Sequence, residues 1–347
     1  MKKCLIVVVL SVFLILPAHG AEITAPPAPD SAQELLPMEQ ENFLDGLTYV
    51  LQKALEAAVP SIYDALSLCA KALAIVLCLC ILRCFGNGID RILQLCSAVL
   101  LTWLLIGSTD TFLQTAAETV RELSAYGKLL LPVMTTALAA QGGAGTATAL
   151  YSGTAIFDAL LSGALERLLV PMVYGYLALA LLAAATDNKT LHQIKKGIYQ
   201  FATKGLRLAL YLFTGYLTIT GVIGGSADQM QLKAAKLTIS GMVPVVGNIL
   251  ADASETILVS AGLVKSAVGI YGLLAIVATA LVPILSVGIR YLLLKATAAA
   301  GAMLGGKEDA SVIADFGAAM GLLLAVTMSQ TLLLLVSTVC FMKGMGS

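Results

Sequence analysis

Apolar residues along this chain gather into runs near the length of a bilayer crossing, with short polar stretches between them. The runs at 65–85, 89–107, 168–186, 206–225, 269–289 and 318–342 each suffice for a helix through a hydrocarbon core of about 30 Å. Two places break the pattern. In the first, LLLPVMTTALAA is followed by QGGAG and then by TATALYSGTAIFDALLSGAL, which carries Asp158. An apolar half of about twelve residues rises only about 18 Å, well short of a crossing. The second is SGMVPVVGNILADASETI, residues 240–257. It is too polar to face lipid, too short to cross a bilayer and too apolar for an ordinary loop.

Composition agrees with the pattern. The chain is 59% apolar and 12% charged, which a soluble protein of this size cannot bury behind a charged exterior. The expected fold class is an all-α polytopic membrane protein. It has about six transmembrane helices plus two broken or re-entrant helical hairpins.

The zero net charge matters less than where the charges lie. Lys2 and Lys3 precede an apolar core from Leu5 to Leu16, Pro17 and the small residues AHGA. This reads as a signal peptide over 1–21, with an uncleaved anchor as the alternative. An acidic extracytoplasmic arm follows over 22–64, with a net charge of about −7. Its Pro-rich first part is expected to be flexible, and 43–64 to form an amphipathic helix. Lys189, Lys195, Lys196, Lys204 and Arg207 mark a basic loop on the cytoplasmic side. Arg83, Arg91, Arg290 and Lys295 sit at span ends expected on that same side. With the arm outside, 108–128 is external and 129–167 enters and leaves on one side. Two thin crossings satisfy that parity, as does a re-entrant hairpin. The break at Pro132, Gly142, Gly143 and Gly145 favours the hairpin.

The two irregular places are related. Pro132 and Pro171 lie 39 residues apart, as do Pro244 and Pro283, and the pairs are offset by 112 residues. The same shift lays 92–107 onto 204–219, and 206–225 onto 318–337. This reads as a parallel internal duplication in a membrane domain over 65–347, with units of about 92–203 and 204–315 and a final span at 318–342. Residues 240–257 then correspond to the first broken hairpin. Pro244 starts a helical turn, Gly247 permits close packing, and Asn248, Asp252 and Glu255 share one face. Lys233, Lys236 and Lys265 are available to pair with those carboxylates. These eight are the candidate structural or pore-lining residues. An amphipathic helix on the outer membrane surface is the other reading of the segment.

No catalytic set is present. The only His beyond the signal peptide is His192, in the basic loop. GGAG at 142–145 lacks the Lys and Ser/Thr of a phosphate-binding loop, and GAMLGGKED at 301–309 reads as a flexible loop between spans. Cys69, Cys78, Cys80, Cys84, Cys96 and Cys340 lie in or beside apolar segments as small apolar fillers. No enzyme activity, cofactor, metal or nucleic-acid partner is expected. The expected surroundings are a lipid bilayer and other membrane subunits packed through small residues.

The block LKAAKLTISGMVPVVGNILADASETILVSAGLVKSAVGIYGL, residues 232–273, resembles the stage III sporulation protein AE family. The resemblance lies in the Leu-x-x-Ala-Lys lead-in, the Val-Pro-Val-x-Gly core, the Asp-Ala-x-Glu-Thr turn and the Lys-x-x-x-Gly run. It implies an endospore-forming Gram-positive bacterium and a multi-pass subunit made in the mother cell and placed in the outer forespore membrane. It also implies a secretion-like channel complex with ring-forming subunits and a forespore-made partner, needed for forespore development after engulfment. The short acidic arm departs from the family picture, which puts in doubt contacts that a longer arm would make. The family brings no catalytic residues to carry over. Without this block, a stand-alone secondary transporter would suit the same pattern.

Replacing Asp252 and Glu255 together by Ala is expected to leave membrane insertion intact and lower spore yield. A wild-type yield from the double variant would remove both from the candidates.

Overall fold

Among the described residues the long apolar runs fold as helix, because a backbone in lipid must satisfy its hydrogen bonds within its own segment. The structure, a computed structural model, describes residues 25–37, 43–85, 90–140, 144–186, 188–219, 267–304 and 307–345. Its elements are α1 (Asp30–Gln33), α2 (Phe43–Phe85), α3 (Asp90–Ala140), α4 (Ala144–Ala164), a π-helical turn (Leu165–Leu169), α5 (Val170–Thr186), α6 (Lys189–Ile219), α7 (Ala267–Met303) and α8 (Lys307–Met345). No strand occurs among the described residues. Among the described residues five stretches are long and apolar enough to cross a membrane: Phe43–Phe85, Arg91–Ala140, Ala144–Thr186, Val268–Met303 and Lys307–Gly344.

The core is built around α8. The most apolar window of α8 is 89% buried, against 28% in α2 and 33% in α3, so α8 is the central helix and the others sheathe it. It runs antiparallel to α7, with Gly288 against Leu324, Gly301 against Ala310 and Gly317 against Leu294. Small residues at these points let the two backbones approach, which is how helices associate where lipid removes the hydrophobic drive. Helix α7 also runs parallel to α2: Gly301 lies against Val76, while Asp309, just beyond α7, meets Arg83.

The helices are longer than the apolar runs that nucleate them. Residues 43–64 and 65–85, read separately as arm and span, form one helix of 43 residues. Residues 108–128 are helical too, within a 51-residue α3 about 76 Å long. Pro132 lies inside α3 and does not break it. Helix α3 continues past the proline to Ala140, and α4 begins at Ala144, so the helix stops at the QGGAG sequence and not at Pro132. Helix α4 packs antiparallel to the end of α3, bringing Asp158 back to Ser124. The expected hairpin over 129–167 thus corresponds to the last turns of α3 and the whole of α4. Before Pro171 the backbone widens into the π turn, a local remedy for a residue without an N–H.

Three further expectations are revised. The basic stretch from Lys189 is helix α6, not loop. Ala202, Leu206, Leu210, Phe213 and Leu217 bury one face of it while Lys196, Lys204 and Arg207 stay exposed. GAMLGGKED is mostly helical, because α7 continues to Met303 and α8 begins at Lys307. The start of the acidic arm is docked: Ala32 is fully buried, Ser31 donates to Glu122, and the Ala28 N–H donates to Tyr271 at 3.3 Å. The signal peptide, the span end at 220–225 and the whole of 240–257 lie outside the described residues. So does the second hairpin on which the duplication turns.

Gly153 gives a direct check of the α4–α6 contact. A Cβ there would lie 2.0 Å from the Tyr216 ring, whose hydroxyl is tied to the Ala149 carbonyl at 2.6 Å. Gly153→Ala is expected to destabilise the protein by about 1–3 kcal/mol, read as a lowered Tm in detergent. An unchanged Tm would show that the two helices do not pack in this way.

Candidate functional site

Polar side chains inside an apolar bundle must find partners, and here they fall into three groups. The first girdles α8 near its N-terminal half. Asp309 is fully buried and accepts from Arg83 of α2 at 3.0 Å. Asp315 accepts from Lys195 of α6 at 2.6 Å and from the Tyr176 hydroxyl of α5 at 2.8 Å. Two carboxylates of one helix thus hold three neighbours. Tyr199, outside the candidate spans, packs its ring 6.0 Å from Tyr176. Burial, and to a lesser degree Tyr291, raises its phenol pKa, so it stays neutral.

A second group lies further along α8. Asp158 of α4 is 3% exposed; it accepts from Ser124 of α3 at 2.7 Å and from the Gln330 amide of α8. One helical turn from Asp158, Thr154 donates to Ser337 at 2.9 Å. These bonds join α3, α4 and α8 across the hairpin.

The third group is open. A cavity of about 560 Å³ lies between α2, α3 and α7, lined by Asp64, Lys71, Thr111 and Arg290 with several further hydroxyls. Helical periodicity explains its polarity. Ser108, Thr111 and Thr115 recur at three- and four-residue steps on α3, as do Ser61, Asp64 and Lys71 at three and seven on α2. Arg290 is 5% exposed, stacks 4.2 Å over the Phe112 ring, and has an Nε without a hydrogen-bond partner among the described residues. A smaller cavity of about 310 Å³ adjoins it, sharing Thr115, Val282 and Pro283 and lined by Glu34, Glu118 and Glu122. The two chambers differ in sign, cationic on one side and acidic on the other.

The structure places these groups where the sequence did not. Pro244, Gly247, Asn248, Asp252, Glu255, Lys233, Lys236 and Lys265 lie outside the described residues, as do Gly142 and Gly143. Pro132 is interior to α3, and Gly145 lies in the first turn of α4 with open space around it. Arg290, expected on the basic side, instead shares a cavity with Asp64 and Ser108, at the ends of runs expected to face outside. The reason is the parallel course of α7 beside α2. It sets Arg290 level with the start of the 65–85 run and not with its end. Among the described residues no His, Cys, Asp and Glu group could hold a metal ion. Lys195, Asp309, Asp315 and Gln330 carried a usable signal, being polar residues in or beside apolar runs.

Comparison with known proteins adds the family context. A family model described as stage III sporulation protein AE matches residues 31–344. A curated relative, the stage III sporulation protein AE of Bacillus subtilis (strain 168), is 25% identical over 185 residues. That match covers 53% of this chain and 46% of the relative, so the alignment spans about half of each. No solved structure matches.

Removing one partner of the Lys195–Asp315 pair leaves the other charge buried and uncompensated. Asp315→Ala is expected to cost about 3–5 kcal/mol, whereas Lys195→Met with Asp315→Leu should recover most of the loss. Thermal unfolding of the single and double variants in detergent checks this, and additive losses would exclude a coupled pair.

Proposed function

From the premise that this chain belongs to the stage III sporulation protein AE family, we propose that it is a non-enzymatic membrane subunit of a channel or secretion-like complex. In this reading the complex links mother cell and forespore, and forespore development after engulfment depends on it. The subunit sits as a multi-pass protein in the mother-cell-derived outer forespore membrane. There it assembles with other membrane and ring-forming subunits of the same complex.

The observation that carries the reading is helix length. A crossing of the hydrocarbon core needs about 20 residues, yet α2 has 43 and α3 has 51. Much of each helix therefore tilts strongly or extends beyond the lipid, and a body that projects from the bilayer suits assembly with partners outside it. Exposed apolar side chains such as Leu77, Ile81, Val99 and Trp103 remain for lipid or neighbouring membrane subunits.

Deletion of the gene in its own organism tests this directly, scored by heat-resistant spores and by microscopy of the stage of arrest. Normal vegetative growth with engulfed but stalled forespores is the expected result. Normal spore counts, or a growth defect without a sporulation defect, would overturn it. Solute uptake by the purified protein alone in liposomes would favour the stand-alone transporter instead.

A further inference from the structure

Arg290 is a buried cation of the bundle. The residue is 5% exposed and its guanidinium is stacked on Phe112, and its Nε has no hydrogen-bond partner among the described residues. A buried charge is expensive unless it is paired and hydrogen-bonded. The nearest offset is Asp64, which lines the same cavity from α2, but no salt bridge joins the two among the described residues. Lys71 adds a second cation two helical turns along from Asp64. The cavity is therefore cationic on balance, and its deepest charge lacks a full set of acceptors.

The hydroxyls in the cavity divide into two sets. On α3, Ser108 donates to the Leu105 carbonyl, Thr111 to Gly107 and Thr115 to Thr111. These are committed to their own helix, as Ser and Thr in apolar helices commonly are. Ser61 and Ser67 on α2 and Ser286 on α7 supply hydroxyls not so committed. Donors thus come from the walls that also carry Lys71 and Arg290. Beyond the one carboxylate of Asp64 the cavity is rich in donors, and its volume of about 560 Å³ is ample for an acceptor-rich group.

We propose that the α2–α3–α7 cavity is a binding site for a phosphate group, held by Arg290 and Lys71 and completed by the serine hydroxyls of α2 and α7. A phosphate offers several acceptor oxygens at once, which suits a planar guanidinium fork beside an ammonium. Position favours the same chemistry. The cavity lies where the apolar runs 65–85 and 89–107 meet polar sequence, a boundary of the kind found between hydrocarbon and headgroups. The adjoining chamber with Glu34, Glu118 and Glu122 is acidic and disfavours an anion. The phosphate belongs either to a lipid headgroup or to a soluble molecule. The site stands independently of the subunit reading above, and its failure would leave that reading untouched.

The test uses the full chain purified in detergent. Inorganic phosphate is titrated while Tm is followed, since a ligand that binds the folded state raises it. In parallel, the protein is exposed to phosphatidylglycerol and examined by native mass spectrometry. Saturable stabilisation by phosphate would identify a soluble ligand class, whereas retention of phosphatidylglycerol would identify a lipid headgroup. With either probe, Arg290→Gln is expected to weaken binding about tenfold or more, and Lys71→Gln to weaken it less. Asp64→Asn should strengthen binding, a direction that a merely structural role for Arg290 would not produce. If Arg290→Gln does not fold, Lys71→Gln and Asp64→Asn, both at exposed positions, decide the matter by their opposite effects. Absence of binding by both probes, or equal binding by wild type and all variants, would overturn the site.

Discussion

The fold depends on one constraint: the helix buried at the centre, α8, carries carboxylates. Asp309 is fully buried and Asp315 nearly so, and an unpaired charge there would cost several kcal/mol. The neighbours of α8 are therefore chosen by chemistry as well as by shape. Arg83 brings in α2, Lys195 brings in α6, and Tyr176 brings in α5. Such pairs add little net stability over apolar replacements. Their effect is on register, because each carboxylate accepts its partner at only one offset along the helix.

Away from these pairs the packing follows the rules of an apolar solvent. Helices gain little by burying Leu against Leu when lipid offers the same contact, so close approach of small residues and buried hydrogen bonds must hold them together. The antiparallel seam of α7 and α8, with glycines 288, 301 and 317 at the contacts, is the clearest case. The Ser124–Asp158–Gln330 group provides the second kind of link, joining the hairpin of α3 and α4 to the central helix. The α2–α3–α7 cavity is where this closure is incomplete. There three helices turn polar faces toward one another without meeting, and a charge remains short of acceptors.

Much of this was legible in the sequence. Runs of apolar residues near bilayer length fold as helices, and α3 ends at Ala140, directly before the QGGAG that the sequence marks as a break. The block at 232–273 pointed to the family that the match over residues 31–344 establishes. Helix ends were less legible. Polar stretches such as 108–128 and 189–207 resemble loops by composition, yet nothing in them breaks a helix, and flanking helical turns propagate through at low cost. The candidate site was the least legible part. Asn248, Asp252 and Glu255 were singled out because they share a helical face. Asp64 and Lys71 share a face of α2, but Arg290 comes from α7, and no periodicity within one segment links it to them.

Sequence alone determined the apolar surroundings, the helical class, the break between α3 and α4 and the family, because each follows from local composition or from one contiguous block. Only the tertiary structure decided that α8 is central, that α7 runs parallel to α2, and that Arg290 lies beside Asp64. Those facts depend on which helices are neighbours and at what offset. A helix of even amphipathicity accepts many neighbours, and the choice is made by a few long-range pairs between residues more than a hundred positions apart, such as Arg83 with Asp309 and Lys195 with Asp315.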